Sequence, residues 1–179
     1  MSDILSHTPI WIWVILFLLV RRGFAALQPE RISIARLFIL PLVMIGWSLY
    51  ALTTQMHDAP AALAGFVGIG LIVTVIMHRR IRLADGLVLE RGTMTLLRPG
   101  MPAILIVSIG GFGVRYALGV EVATNPWRVG DVFFTTIYGT MSGLVSGAAL
   151  GLATGQVAAA LRPAYSNFTP RFGRQFDDI

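Results

Sequence analysis

The stretch YGTMSGLVSGAALGLATG, Tyr138 to Gly155, decides how this chain folds. Glycine recurs at every fourth residue, at Gly139, Gly143, Gly147, Gly151 and Gly155, and no charged residue occurs from Val132 to Leu161. A helix crosses a ~30 Å hydrocarbon layer with about 20 predominantly apolar residues, and this run supplies them. Glycine inside a helix costs up to ~1 kcal/mol relative to alanine. Five on one face are locally unfavourable unless a second helix backbone lies close against them. At ~1.5 Å per residue the column is about 24 Å long, nearly the hydrocarbon thickness. Beside it run Tyr138, Ser142, Ser146 and Thr154, which can hydrogen-bond across such a contact. Three occupants fit the groove: span three or four of the same chain, a second copy or another subunit, or a conduction pathway.

Composition agrees with a bilayer environment. Of 179 residues, 55% are apolar and only 13% charged, a polytopic membrane composition rather than that of a soluble domain. With no cysteine, disulfides, thiolate zinc sites and cysteine nucleophiles are excluded. All fourteen basic residues are arginine, which removes a lysine Schiff base and a phosphate-loop lysine. The +5 balance fits arginines on the cytoplasmic side of a bilayer and not nucleic-acid binding. The N-terminus lacks a basic region and a small-residue cleavage site, so no removable signal peptide is expected.

Working outward from the glycine run, the pattern predicts an all-α membrane protein with five transmembrane helices. A small cytoplasmic β-hairpin is expected between helices 3 and 4. Approximate spans are 8–20, 34–52, 60–77, 102–122 and 132–161, with the hairpin over 79–100 and a cytoplasmic tail over 162–179. Thr8 is a candidate N-cap with Pro9 at the first helical position. Pro41 lies inside the second span, where a proline removes a backbone donor and kinks a helix. Gly65, Gly68 and Gly70 give the third span a second small-residue surface. In RRIRLADGLVLERGTMTLLRPG, Arg79 to Gly100, short apolar runs are parted by Asp85-Gly86 and Arg91-Gly92. That is a hairpin signal for two or three strands, starting at Ile81-Arg82-Leu83.

The arginines orient the spans. Arg21, Arg22, Arg31 and Arg36 follow span one, and Arg79, Arg80, Arg82, Arg91 and Arg98 follow span three. Arg162, Arg171 and Arg174 lie in the tail, whereas the alternate links carry only Arg128. Basic loops stay cytoplasmic, so the N-terminus is expected outside and the C-terminus inside.

The quoted run, together with SHTPIWIWV at Ser6 to Val14, RISIARLFILPLVMIGWSLY at Arg31 to Tyr50, the basic hairpin and RYALGV at Arg115 to Val120, resembles small five-span bacterial membrane proteins of unknown function. More weakly, it resembles the CcdC-type proteins. The resemblance covers most of Ile4 to Leu161 and implies the five-span topology and the bacterial inner membrane. It brings no catalytic residue with it.

Arg115 is the sharpest candidate for chemistry, since an arginine near mid-membrane costs at least ~2.5–3.5 kcal/mol on insertion scales. Gly111 and Gly119 flank it four residues either way, on one helix column, which predicts a close helix contact around Arg115. Tyr138 and Thr135 lie at matching depth and are its expected partners, together with exposed carbonyls. The functional reading is a site for an anionic lipid or solute, or a gate. The bland reading is a structural arginine that snorkels outward or pairs with Glu121 or Asp131. His7, His57 and His78 all fall at span ends, so axial cofactor ligation has no support, and no cofactor or metal is expected. No carboxylate sits at a span centre, so the usual proton relay is missing. The GGFG of span four follows no strand and is no nucleotide fingerprint.

The leading expectation is a non-enzymatic accessory or structural membrane protein. A glycine-rich helix, or the aromatic tail with Phe168, Phe172 and Phe176, would engage a larger complex or a homo-oligomer, alongside membrane lipids. The alternative is a small permease or channel with Arg115 as an anion or lipid site.

Overall fold

The computed structural model describes residues 10–56, 59–83, 86–90 and 94–161. The Thr8-Pro9 start of span one, the Arg91-Gly92 turn and the aromatic tail lie outside the described residues. The elements run α1 (Ile10–Ala25), β1 (Glu30–Ser33), α2 (Ile34–Thr54), α3 (Ala59–Arg82), β2 (Val88–Glu90), β3 (Thr95–Arg98), α4 (Pro102–Thr124), a 3-10 turn (Pro126–Gly130) and α5 (Val132–Ala160). Helices α2 to α5 are each long and apolar enough to cross a membrane, which marks the chain as a membrane protein. The fifth expected span falls on α1, of which 16 residues are described.

Helix α5 is the axis of the bundle. Its buried positions run from Phe134 to Ala160, and its contact with α3 is the most extensive between any two elements. Asp131 caps its start, accepting a 3.0 Å hydrogen bond from Phe133 N. This satisfies one of the donors that every helix start leaves open. Two apolar clusters close the ends of the bundle. Ala51, Leu52, Ala62, Phe66 and Tyr138 form one, and Ile32, Leu37, Leu87, Leu96, Met101 and Ala153 form the other.

The glycine column lies on α3. A methyl group built on Gly139, Gly143 or Gly147 would overlap the carbonyl of Ala62, Phe66 or Gly70. Gly151 meets the Thr74 carbonyl and Gly155 the His78 carbonyl. Each pair keeps the same offset of 77 residues, so the two parallel helices stay in backbone contact for all five glycines. Thr74 Oγ1 reinforces the seam by donating to Gly147 O at 3.1 Å, and His78 Nδ1 meets Thr154 Oγ1 at 3.2 Å. Of the third span's own glycines, Gly65 and Gly70 face α5, while Gly68 has nothing within 4 Å among the described residues.

The β-element differs from the expected hairpin. Strands β2 and β3 do pair antiparallel, with Leu89 opposite Leu96, and Gly86 takes a positive φ of +84°, a region open to glycine at little steric cost, while Asp85 lies outside the described residues. The sheet has a third strand, however, in the order β1-β3-β2, with Ile32 opposite Leu96. That strand comes from the link between α1 and α2. Ile81 and Arg82, expected to begin a strand, instead complete α3. An isolated two-stranded ribbon is marginal, and β1 supplies both the missing edge bonds and Ile32 for the core.

Candidate functional site

Arg115 sits midway along α4 and points into the bundle. Its Nη2 donates to the carbonyl of Met44 at 3.2 Å and to Ser48 Oγ, both on α2. The hydroxyl of Ser48 donates back to Met44 O at 2.6 Å and lies 3.3 Å from Ser146 Oγ on α5. A hydroxyl has one proton and two lone pairs. With its proton on Met44, Ser48 accepts from Arg115 and from Ser146, and its capacity is complete. The phenol of Tyr138 completes the surround and interacts with the guanidinium.

Of the expected partners, Tyr138 is therefore in place and Thr135 is not. Thr135 is fully buried, but its hydroxyl donates to Val132 O at 3.0 Å within its own helix. A threonine in the first turn of a helix finds that carbonyl before any neighbour. Neither carboxylate pairs with Arg115: Glu121 binds Arg128 at 2.9 Å, and Asp131 serves as the α5 cap. The glycine column of α4 is also only half in contact. Gly111 is buried against Val145 and Met44, whereas Gly119 has nothing within 4 Å among the described residues. Arg115 Nη1 and Ser142 Oγ are buried without a hydrogen-bond partner among the described residues.

A second feature lies toward the sheet. A cavity of about 410 Å³ is walled by the first turns of α2, the start of α4 and the last turns of α5, with β1, β3 and α1 closing it. Its lining is mostly apolar, with Arg36, Arg98, Ser108 and Gln156 as the polar side chains. Arg98 is 5% exposed, and its Nη2 donates to Glu30 Oε2 at 2.9 Å. Cross-strand pairing places these two residues opposite each other, Glu30 on β1 and Arg98 on β3. Gln156 Nε2 donates to Leu152 O at 3.2 Å. A carbonyl can only accept, so this bond fixes the amide orientation and leaves Oε1 as the free end. Arg98 Nε and Gln156 Oε1 are both buried without a partner among the described residues. Pro41 also lines the cavity; lacking an N–H, it leaves the Leu37 carbonyl without its helical donor.

Sequence reasoning missed this group. Arg36 and Arg98 entered only as loop charges that orient the spans. One signal was available: Gln156 is the sole amide side chain between Val132 and Leu161, a stretch where a polar group is costly unless bonded.

Among the described residues no cluster of His, Asp or Glu is arranged to hold a metal ion. No curated protein and no solved structure matches the chain, so the likeness to CcdC-type proteins finds no support there. A family model does match, over residues 1–164. The membrane helices built on the glycine run thus belong to a member of DUF6622, a family of unknown function.

Proposed function

We propose that this protein is a non-enzymatic, five-span accessory component of the bacterial inner membrane, with its N-terminus outside and its C-terminus in the cytoplasm. It docks through a glycine-bearing helix face to a helix of a partner or of a second copy. The α5 column is occupied by α3 within the chain, so the docking face is placed on α4 instead. One observation carries this reading. Ile106, Gly110, Gly113 and Ala117, spaced along one side of α4, are all exposed, and Gly110 and Gly113 have nothing within 4 Å among the described residues. Such a flat face admits a second backbone.

Replacing Gly113 by leucine tests it, because the side chain has room in the isolated chain. The expected result is an unchanged thermal transition with loss of the native-size complex on electrophoresis of mildly solubilised membranes. A complex of unaltered size overturns the reading.

A second reading, a small permease or channel selecting an anion at Arg115, draws support from Arg115 Nη1 and Ser142 Oγ, which have no hydrogen-bond partner among the described residues. Anion flux into liposomes that vanishes in Arg115→Met would favour it over the first.

A further inference from the structure

The cavity beside the sheet has features that neither reading above uses. Two side chains that line one mostly apolar chamber, Arg98 and Gln156, are 5% and 2% exposed, and each carries a buried polar atom without a hydrogen-bond partner among the described residues. A buried polar atom left in that state is costly, so both imply a ligand that satisfies them together. Arg98 Nε–H requires an acceptor. Gln156 Oε1 requires a donor. The charges on the lining are Arg36 and Arg98, and Glu30 neutralises one of them. One net positive charge remains, matching a single negative charge.

The rest of the lining selects the body of the ligand. The volume, about 410 Å³, lies in the ~300–1,000 Å³ range of small-molecule sites. It would hold about a dozen waters at ~30 Å³ each, yet most of the wall offers them no hydrogen bond. On α2 the cavity runs from Arg36 to Val43, about 10 Å of helix. Ile39 and Val43 on that wall are 58% and 60% exposed on a helix apolar enough to cross the membrane. The chamber therefore communicates with the acyl-chain region at its side and has an arginine at its head.

We propose that this cavity is a binding site for one singly charged anionic phospholipid whose head group carries a free hydroxyl, of the phosphatidylglycerol kind. The phosphodiester accepts from Arg98 Nε–H and lies near Arg36. A hydroxyl donates to Gln156 Oε1, and an acyl chain lies along Leu37, Leu40 and Val107. A zwitterionic ethanolamine head group lacks the net charge and brings an ammonium beside two guanidiniums. An ionised fatty acid has the charge but no donor for Gln156.

The test is native mass spectrometry and thermal-shift titration of the full chain, purified in detergent and delipidated. The probes are phosphatidylglycerol, phosphatidylethanolamine and sn-glycerol 3-phosphate. The expected result is one phosphatidylglycerol retained per chain, at least about tenfold tighter than phosphatidylethanolamine, with no binding of glycerol phosphate. Arg98→Gln should weaken it by about tenfold or more. Because that change also breaks the Glu30 pair, Gln156→Leu is the second variant. It keeps the side-chain volume and removes the orphan acceptor, so the lipid-free protein should melt no lower while its phosphatidylglycerol preference falls severalfold. Val107→Trp should displace the lipid from the apolar side. Equal retention of the two phospholipids, unchanged affinity in both polar variants, or binding of glycerol phosphate as tight as that of the lipid would overturn the assignment.

Discussion

Gly147 rests on the carbonyl of Gly70, glycine against glycine, near the middle of the α3–α5 seam. Neither residue contributes a side chain, and the contact depends on that absence. A methyl group at Gly147 would drive into backbone, which cannot rotate away as a side chain can. Overpacking of this kind costs roughly 1–3 kcal/mol, against a helix-propensity gain of up to ~1 kcal/mol for alanine. Gly147→Ala should therefore lower the thermal transition in detergent. Gly68→Ala, on the same α3 but with open space around it, should leave the transition unchanged or raise it. Equal shifts for the two would mean that the seam is not held by backbone contact.

The Arg115 cluster makes an ordering prediction. Ser48→Ala removes the hydroxyl that joins Arg115, Met44 and Ser146; Arg115 Nη2 keeps the Met44 carbonyl, but one of its N–H groups and the Ser146 hydroxyl lose their shared acceptor, at about 1–3 kcal/mol. Arg115→Met removes the charge together with an Nη1 that has no partner among the described residues, so the cost of burying that unpaired group goes with it. Ser48→Ala should therefore destabilise more than Arg115→Met. Thermal unfolding of both in one detergent decides the order. A stable Arg115→Met protein that has lost its cellular role would assign the arginine to function rather than to folding.

How far the sequence was legible depended on the range of each interaction. The column from Gly139 to Gly155 is an i, i+4 pattern, so its existence and length could be read directly. Its occupant could not, because span three and span four both carry glycines and only the backbone offset distinguishes them. Arg115 announced itself by depth, and Tyr138 by matching depth. Ser48, 67 residues away, had no such marker among the serines and threonines of the other helices. Strand β1 is only ERIS, four residues running straight into α2, and nothing local separates it from a helix start. The cavity combines both limits, since Glu30, Arg98 and Gln156 meet only after β1 has paired with β3.

That pairing predicts a coupling between distant segments. Leu96 is fully buried at the centre of the sheet, opposite Ile32 on one side and Leu89 on the other. Leu96→Ala should cost about 2–5 kcal/mol, as large-to-small core changes do. Ile32→Ala, in a link that local pattern reads as connector, should cost nearly as much. Chemical denaturation of the two variants checks this. A near-neutral Ile32→Ala would detach β1 from the sheet.

The proposed orientation has a direct readout because the chain contains no cysteine. Single cysteines at Thr53, in the last turn of α2, and at Trp127 lie at links that carry at most one arginine, while one at Leu83 follows Arg79, Arg80 and Arg82. All three positions are exposed, so their reactivity reports the side of the membrane rather than burial. Arginine-rich links are retained in the cytoplasm. Thr53→Cys and Trp127→Cys should therefore react with a membrane-impermeant maleimide applied to spheroplasts, and Leu83→Cys only after lysis. The same experiment tests α1 as a span. If α1 lies along the surface, the four helices α2 to α5 still alternate and these three positions are unaffected, but a cysteine at Ser2 becomes accessible only after lysis. Labelling of Ser2→Cys on the outer side, together with Thr53→Cys and Trp127→Cys, requires the chain to cross five times.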